Sequence, residues 1–131
     1  MLFWSPTYRG PMVEKVSLVQ KLSLFEEYWS PKIVGDVNDS YVKVVKFQGA
    51  FDWHHHEKED ELFLVLKGAF RLCIKTGDLL LKEGEMAIVP RGVEHRPVAE
   101  EEAHVLLLEP KTTLNTGNVR TEHTLPNPER I

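Results

Sequence analysis

The stretch GAFDWHHHEKEDELFLVLKG, residues 49–68, decides how this chain is read. Successive side chains of a β-strand point to opposite faces. His54 and His56 therefore point the same way, and His55 points the other way. Two imidazoles on one strand face can reach a single ion. The polar run Glu57 to Asp60 makes a turn, and the chain returns as a strand beginning near Glu61. Glu61 can offer a carboxylate from next door, with Asp60 beside it as a competing oxygen ligand. Phe63 and Val65 share the parity of Glu61 and are candidates to line a pocket above the ion, or to pack in the core.

A second stretch, GEMAIVPRGVEH at residues 84–95, supplies a third imidazole. Pro90 and Gly92 define a tight turn, and a strand carrying His95 follows. Val93 and Pro97 share its parity. Three nitrogens and one oxygen suit zinc, iron, manganese, nickel or copper, and are too nitrogen-rich for magnesium or calcium. Four protein ligands leave one or two positions of a five- or six-coordinate ion for water or substrate, as catalysis requires. The expected metal ligands are thus His54, His56, Glu61 and His95.

The two stretches resemble the two motifs of the cupin superfamily. The first motif is glycine, a short gap, His-x-His, four residues, Glu, six residues, Gly; it matches at Gly49, His54, His56, Glu61 and Gly68, with a gap one residue shorter than usual. Its spacing favours Glu61 over Asp60. The second is Gly, five residues, Pro-x-Gly, two residues, His; it matches at Gly84, Pro90, Gly92 and His95. The motif often ends in Asn four positions later, where this chain has Ala99. The resemblance covers Val42 to about Pro110. It implies an all-β, RmlC-like jelly-roll β-barrel with the metal inside one end, and a homodimer, since single-domain cupins commonly pair.

The flanking sequence agrees with an all-β domain. Short apolar or alternating runs recur at Tyr41–Phe47, Leu62–Leu66, Phe70–Lys75, Leu79–Lys82, Met86–Val89 and Val105–Leu108. Turn residues separate them, which predicts a sandwich or barrel. Glu100 to Glu102 reads as another turn between strands. Gly68, Gly84 and Gly92 read as turn positions needing positive φ. One short helix is expected over Lys21 to Trp29, with Ser23 and Glu26 as a capping box and Ser30-Pro31 as the stop. Val13 to Gln20 reads as a strand or extended arm. From Glu109 onward the chain is rich in Thr, Asn, Pro and charge. The expected division is an extension at 1–12, a cupin domain at 13–110 and an extended or partly disordered tail at 111–131.

Composition narrows the partners. The chain has 131 residues, enough for one domain, and 42% are hydrophobic. A formal charge of −4, without a basic patch, argues against nucleic acid or anionic membrane as the main partner. No apolar run is long enough to span a membrane. The lone Cys73 fits a reducing, cytoplasmic setting and reads as a small strand residue. His55 reads as facing away from the other two, at the surface or behind the ligands, Trp53 as outer-face packing or an interface residue, and His104 and His123 as exposed or packing residues.

The scaffold alone does not fix the reaction. The leading expectation is an enzyme acting on a small polar molecule at a three-His, one-Glu centre, of dioxygenase, isomerase or decarboxylase type. The alternative is a non-catalytic binding or sensing module. A third reading, by resemblance, is a metal-free sugar epimerase-like jelly roll using a His base and a Tyr acid.

Overall fold

The computed structural model describes Thr7, Gly10 and residues 12–131. The extension expected at 1–12 therefore lies, apart from Thr7, Gly10 and Met12, outside the described residues. One helix and seven strands follow in order: α1 (Leu18–Leu22), β1 (Lys32–Val37), β2 (Ser40–Ala50), β3 (Glu61–Lys67), β4 (Ala69–Ile74), β5 (Gly77–Lys82), β6 (Met86–Val89) and β7 (His95–Pro110). All strand pairings are antiparallel. The order is β1-β2-β7-β3-β6, with β4 pairing both β5 and β7. This all-β arrangement, with one short N-terminal helix among the described residues, is the architecture that the cupin resemblance implies.

The helix sits earlier than the sequence suggests. Ser17 is its N-cap, accepting from the Gln20 N–H at 3.2 Å, and Ser23 is its C-cap. Ser23 thus ends the helix it was expected to start. The reason is local: its own N–H already bonds to the Val19 and Gln20 carbonyls, and its hydroxyl donates to Gln20 O at 2.6 Å. Beyond it, Phe25 turns inward to join Leu22 and Val44 in an apolar cluster. That cluster lies where Leu18, Val34, Leu66 and Ile131 also pack.

The main core is built by alternation. In β3, Glu61, Phe63 and Val65 are buried while Leu62, Leu64 and Leu66 are half-buried. The same period makes His95, Pro97, Ala99, Ala103, Val105, Leu107 and Glu109 the inward residues of β7. Phe47, Phe63, Phe70, Leu72 and Val105 fill the interior between them. The acidic stretch is not a turn between strands. Phe47 pairs with Ala103 but Gly49 pairs with Ala99, so β7 advances four residues where β2 advances two. Glu100–Glu102 is a bulge within one continuous strand. Such a bulge lets a strand bend, and β7 uses it to pair with β4 on one side of the bulge and with β3 on the other. Gly68 sits against this bulge; its φ is +79°, and a Cβ there would lie 2.9 Å from the Glu102 carbonyl oxygen.

β1 was not read from the sequence. It joins β2 through the two-residue turn Asn38-Asp39, where Asn38 adopts a φ of 51°. The chain end returns to its free edge: Ile33 N donates to Glu129 O and Ile131 N donates to Ile33 O. Covering an edge in this way removes a template for unwanted pairing. Elsewhere, residues 111–131 form turns, without further helix or strand. Among the described residues no helix is long and apolar enough to cross a membrane.

Candidate metal centre

The structure brings His54, His56, Glu61 and His95 together. One ligand atom from each lies within 4.8 Å of every other, and all four residues are buried. Two stretches of chain far apart in sequence are locked by backbone bonds to make this happen. His54 N donates to His95 O at 3.0 Å, and His95 N donates to His54 O at 2.9 Å. Gly92 N donates to His56 O at 2.7 Å. Glu61 enters from the first residue of β3, paired with Val89 of β6. Asp60 does not join the cluster: its Oδ1 accepts from Arg91 N at 2.9 Å, on the surface.

Two of the rings are oriented by carbonyls. His54 Nδ1 lies 2.8 Å from Asp52 O, and His95 Nδ1 lies 2.8 Å from Val93 O. A carbonyl accepts only, so each Nδ1 carries the proton and each Nε2 is left with a lone pair. That is the tautomer a ligating histidine needs, fixed by an outer partner.

The unoccupied hydrogen-bonding capacity tests whether an ion fits. His56 Nδ1 and Nε2 are both buried and neither has a hydrogen-bond partner. Its Nε2 comes within 3.4 Å of Glu61 Oε1, and His95 Nε2 within 3.3 Å of the same oxygen. Buried polar groups are rarely left unpaired, because the lost hydration is costly. Three inward nitrogens converging on one carboxylate, with one ring wholly unpartnered, fit a shared cation.

The electrostatics point the same way. Burial, followed by the neighbouring His95, drives the His54 imidazole down to about 4. His95 feels the same burial, but Glu61 outweighs it and raises this ring above the ordinary value. Burial would raise Glu61; the His56 and His95 rings facing its Oε1 overcome it and hold the carboxyl well below its usual range.

A cavity of about 30 Å³ adjoins the cluster. Its walls include Trp29, Phe47, Phe51 and Phe63 together with His54, Glu61, Glu109 and Asn115. Phe63 and Pro97 do line it, while Val65 and Val93 pack with the core. The chamber is more apolar than an expectation of a small polar ligand implies.

Glu109 is the residue that sequence reading missed at this site. It is fully buried, and its Oε1 accepts from Lys43 Nζ at 2.8 Å. Its carboxyl neighbours Glu61, and its Oε2 is buried without a hydrogen-bond partner. Burial and then the Glu61 charge push it well above the carboxylate range, against the pull of Lys43. The available signal was parity: Glu109 is in phase with Val105 and Leu107.

The other histidines lie outside the cluster. His55 turns its ring to Glu94 at 3.1 Å, His104 pairs with Glu102 at 2.7 Å, and His123 with Asp52 at 2.8 Å. Trp53 is exposed and stacks under Arg96, 5.2 Å from the ring centre.

Residues 41–109 match the family model for the cupin domain called Cupin_2. The chain belongs to this cupin family. Among relatives of this cupin is the uncharacterized protein YdbB of Bacillus subtilis (strain 168), 39% identical over 64 residues, covering 48% of this chain and 57% of that one. The matched region thus spans little more than half the length of that relative. A solved cupin-2 domain protein from Shewanella frigidimarina is 38% identical, with a TM-score of 0.72, covering 73% of this chain and 94% of that chain. A solved protein from Neisseria meningitidis is 32% identical, with a TM-score of 0.68, covering 75% of this cupin and 100% of its own chain.

Proposed function

We propose that this cupin is a metal-dependent enzyme acting on a small molecule at one divalent transition metal held by His54, His56, Glu61 and His95. The observation that carries the reading is the convergence of four buried ligand atoms within 4.8 Å, with both His56 nitrogens unpartnered. When bound, such an ion supplies Lewis-acid polarisation or, as iron, reactivity with dioxygen; dioxygenase, isomerase and decarboxylase chemistries all draw on these. The chain's own residues do the rest. Asp52 O and Val93 O present two imidazoles in the ligating tautomer. Trp29, Phe47, Phe51 and Phe63 give the adjoining chamber an apolar wall. Glu109 places a second carboxyl on the same chamber wall, braced by Lys43.

The experiment is elemental analysis of protein prepared without a histidine tag, followed by turnover assays with the loaded protein. About one transition-metal ion per chain is expected. A chain that neither retains nor binds such an ion in solution overturns the reading. A non-catalytic binding module is the second reading. Tight binding of one metabolite without turnover would decide for it. The epimerase-like reading lacks support, since among the described residues no tyrosine lines this chamber.

Two further features complete the proposal. The outer sheet face carries Met86 and Ile88, each more than half exposed, in register with half-buried Leu64 and Leu62 and, beyond them, Leu106 and Leu108. A second copy covering this face would form the homodimer; light scattering that reports a monomer at micromolar concentration would remove it. Cys73, buried and unpaired, suits a reducing compartment such as the cytoplasm.

A further inference from the structure

The loop that carries the first two histidines, residues 51–60, has no strand beyond the single bridge at His54. Regular ladders do not hold it, so something else must. Besides the bonds to Pro97, His95, Gly92 and Arg91 and the surface bond from Thr112 to Glu59, it is held by residues 115–123, outside the segment that matches the cupin model.

This tail segment is cross-linked to itself. Asn115 Nδ2 donates to His123 O at 2.8 Å, and its Oδ1 accepts from Leu125 N at 2.9 Å. The fully buried Thr116 donates to Val119 O at 2.8 Å and bonds to the Thr124 hydroxyl. It is then fastened to the histidine loop at two levels. Asn118 N donates to His55 O at 3.1 Å, while its Oδ1 accepts from His55 N at 2.8 Å. Thr121 Oγ1 and His123 Nδ1 both bond to Asp52 Oδ2 at 2.8 Å. His123 also stacks on Phe51, with ring centres 5.1 Å apart.

Asp52 is the hinge of this arrangement. Its carboxylate is held by the tail, and its carbonyl holds His54 Nδ1. Gly117 shows how closely the two chains approach. Its φ is +57°, and a Cβ there would overlap the His55 carbonyl oxygen and meet His54 Cδ2 at 3.1 Å.

We propose that residues 115–123 are a positioning strap for the metal centre, fixing the Phe51–His55 loop so that Asp52 holds His54 in its Nδ1–H tautomer. The proposal rests on the metal-centre reading for its use but not for its geometry. Thr121 and His123 act through Asp52, and Asn115 adds a wall to the chamber. The centre is thus finished by sequence that the domain motifs do not contain.

The test is the Thr121→Val/His123→Phe double variant of the full chain, which removes both donors to Asp52 at nearly constant shape. Thr121→Val alone is the milder companion, Gly117→Ala the steric one, and Thr112→Val the control, since Thr112 bonds only to Glu59 on the surface. Zn²⁺ affinity is read by chelator competition, the His54 tautomer by nitrogen NMR of the metal-free protein, and folding by thermal melting. Loss of an outer partner of a ligating histidine costs about tenfold or more in affinity. That loss, with a scrambled His54 tautomer, is expected in the double variant and in Gly117→Ala, with a smaller loss in Thr121→Val and none in the control. A wild-type chain that binds Zn²⁺ while its folded variants keep both affinity and tautomer overturns the strap and leaves the metal centre standing. A wild-type chain that ignores Zn²⁺ but loses its His54 tautomer in the same variants overturns the metal centre and leaves the strap.

Discussion

Two carboxyl groups lie side by side inside this protein, and their surroundings differ. Glu109 is given a cation of the protein's own, the Lys43 ammonium at 2.8 Å. Glu61 is given ring nitrogens, from His56 and His95 at 3.4 and 3.3 Å, and no fixed positive charge. A buried acid needs a counter-charge or a proton. For Glu109 the fold supplies it covalently attached to β2. For Glu61 the place is left to something exchangeable, a proton on an imidazole or a metal ion. The difference separates a structural brace from a site.

The largest expected effect breaks the site half of the comparison. His54→Ala or His95→Ala should abolish stoichiometric metal binding while the strand signature in circular dichroism persists. Retention of a full equivalent of metal in both variants would refute the ligand assignment.

Next comes the brace. Lys43→Met leaves Glu109 buried without its partner, a loss worth about 3 kcal/mol. Urea unfolding should show it, and Lys43→Met/Glu109→Leu should recover most of it. A Lys43→Met variant as stable as the parent would mean that the pair carries no structural weight.

The third prediction uses the exchangeable counter-charge. Glu61 raises the His95 proton affinity above the ordinary imidazole value, so metal must displace a proton there. Affinity should therefore fall as pH drops, beginning above the usual value near 6.5. His54, with its value near 4, should not compete for protons until much lower pH. In the metal-free protein the sign for His54 is separate. Its native value is depressed from 6.5, so the stability it contributes is full above 6.5 and is lost as pH falls towards about 4. A chelator competition flat from about pH 8 to about pH 5 would contradict histidine ligation.

The smallest effect lies at the surface, two strands across from Glu109. Arg130, with Lys111, lowers the Asp36 carboxyl to about 2, but all three groups are exposed. Water screens such pairs. Arg130→Ala should leave the melting temperature at neutral pH unchanged, and a drop of several degrees would show that the chain end bears more load than its exposure implies.

These contrasts also mark how far the sequence can be read. His54, His56, Glu61 and His95 were legible because two-residue alternation and short motif spacings are local facts. Six strands were legible for the same reason. The helix was misplaced because Ser17 and Ser23 are both good caps, and the backbone bonds of Ser23, with Phe25 turned inward beyond it, show which end each one closes. β1 escaped notice because Lys32, Gly35 and Asp36 dilute its apolar pattern, and its pairing with β2 is needed to see it. Glu109 looked like the start of a polar tail; burial beside Lys43 depends on two strands meeting. The strap was invisible for a stronger reason. Asn115, Gly117, Asn118, Thr121 and His123 carry no apolar alternation to mark them, and the role of the segment exists only against Asp52 and His55.

The acidic bulge of β7 sets an arithmetic rule on the gene. Every inward residue from His95 to Glu109 is odd-numbered, on both sides of Glu100–Glu102. The bulge inserts an even count, so the strand leaves it in the same phase in which it entered. Removing a single codon there would turn either the His95 side or the Glu109 side inside out, whereas removing two would spare both. Length variation in this stretch is tolerable only in pairs.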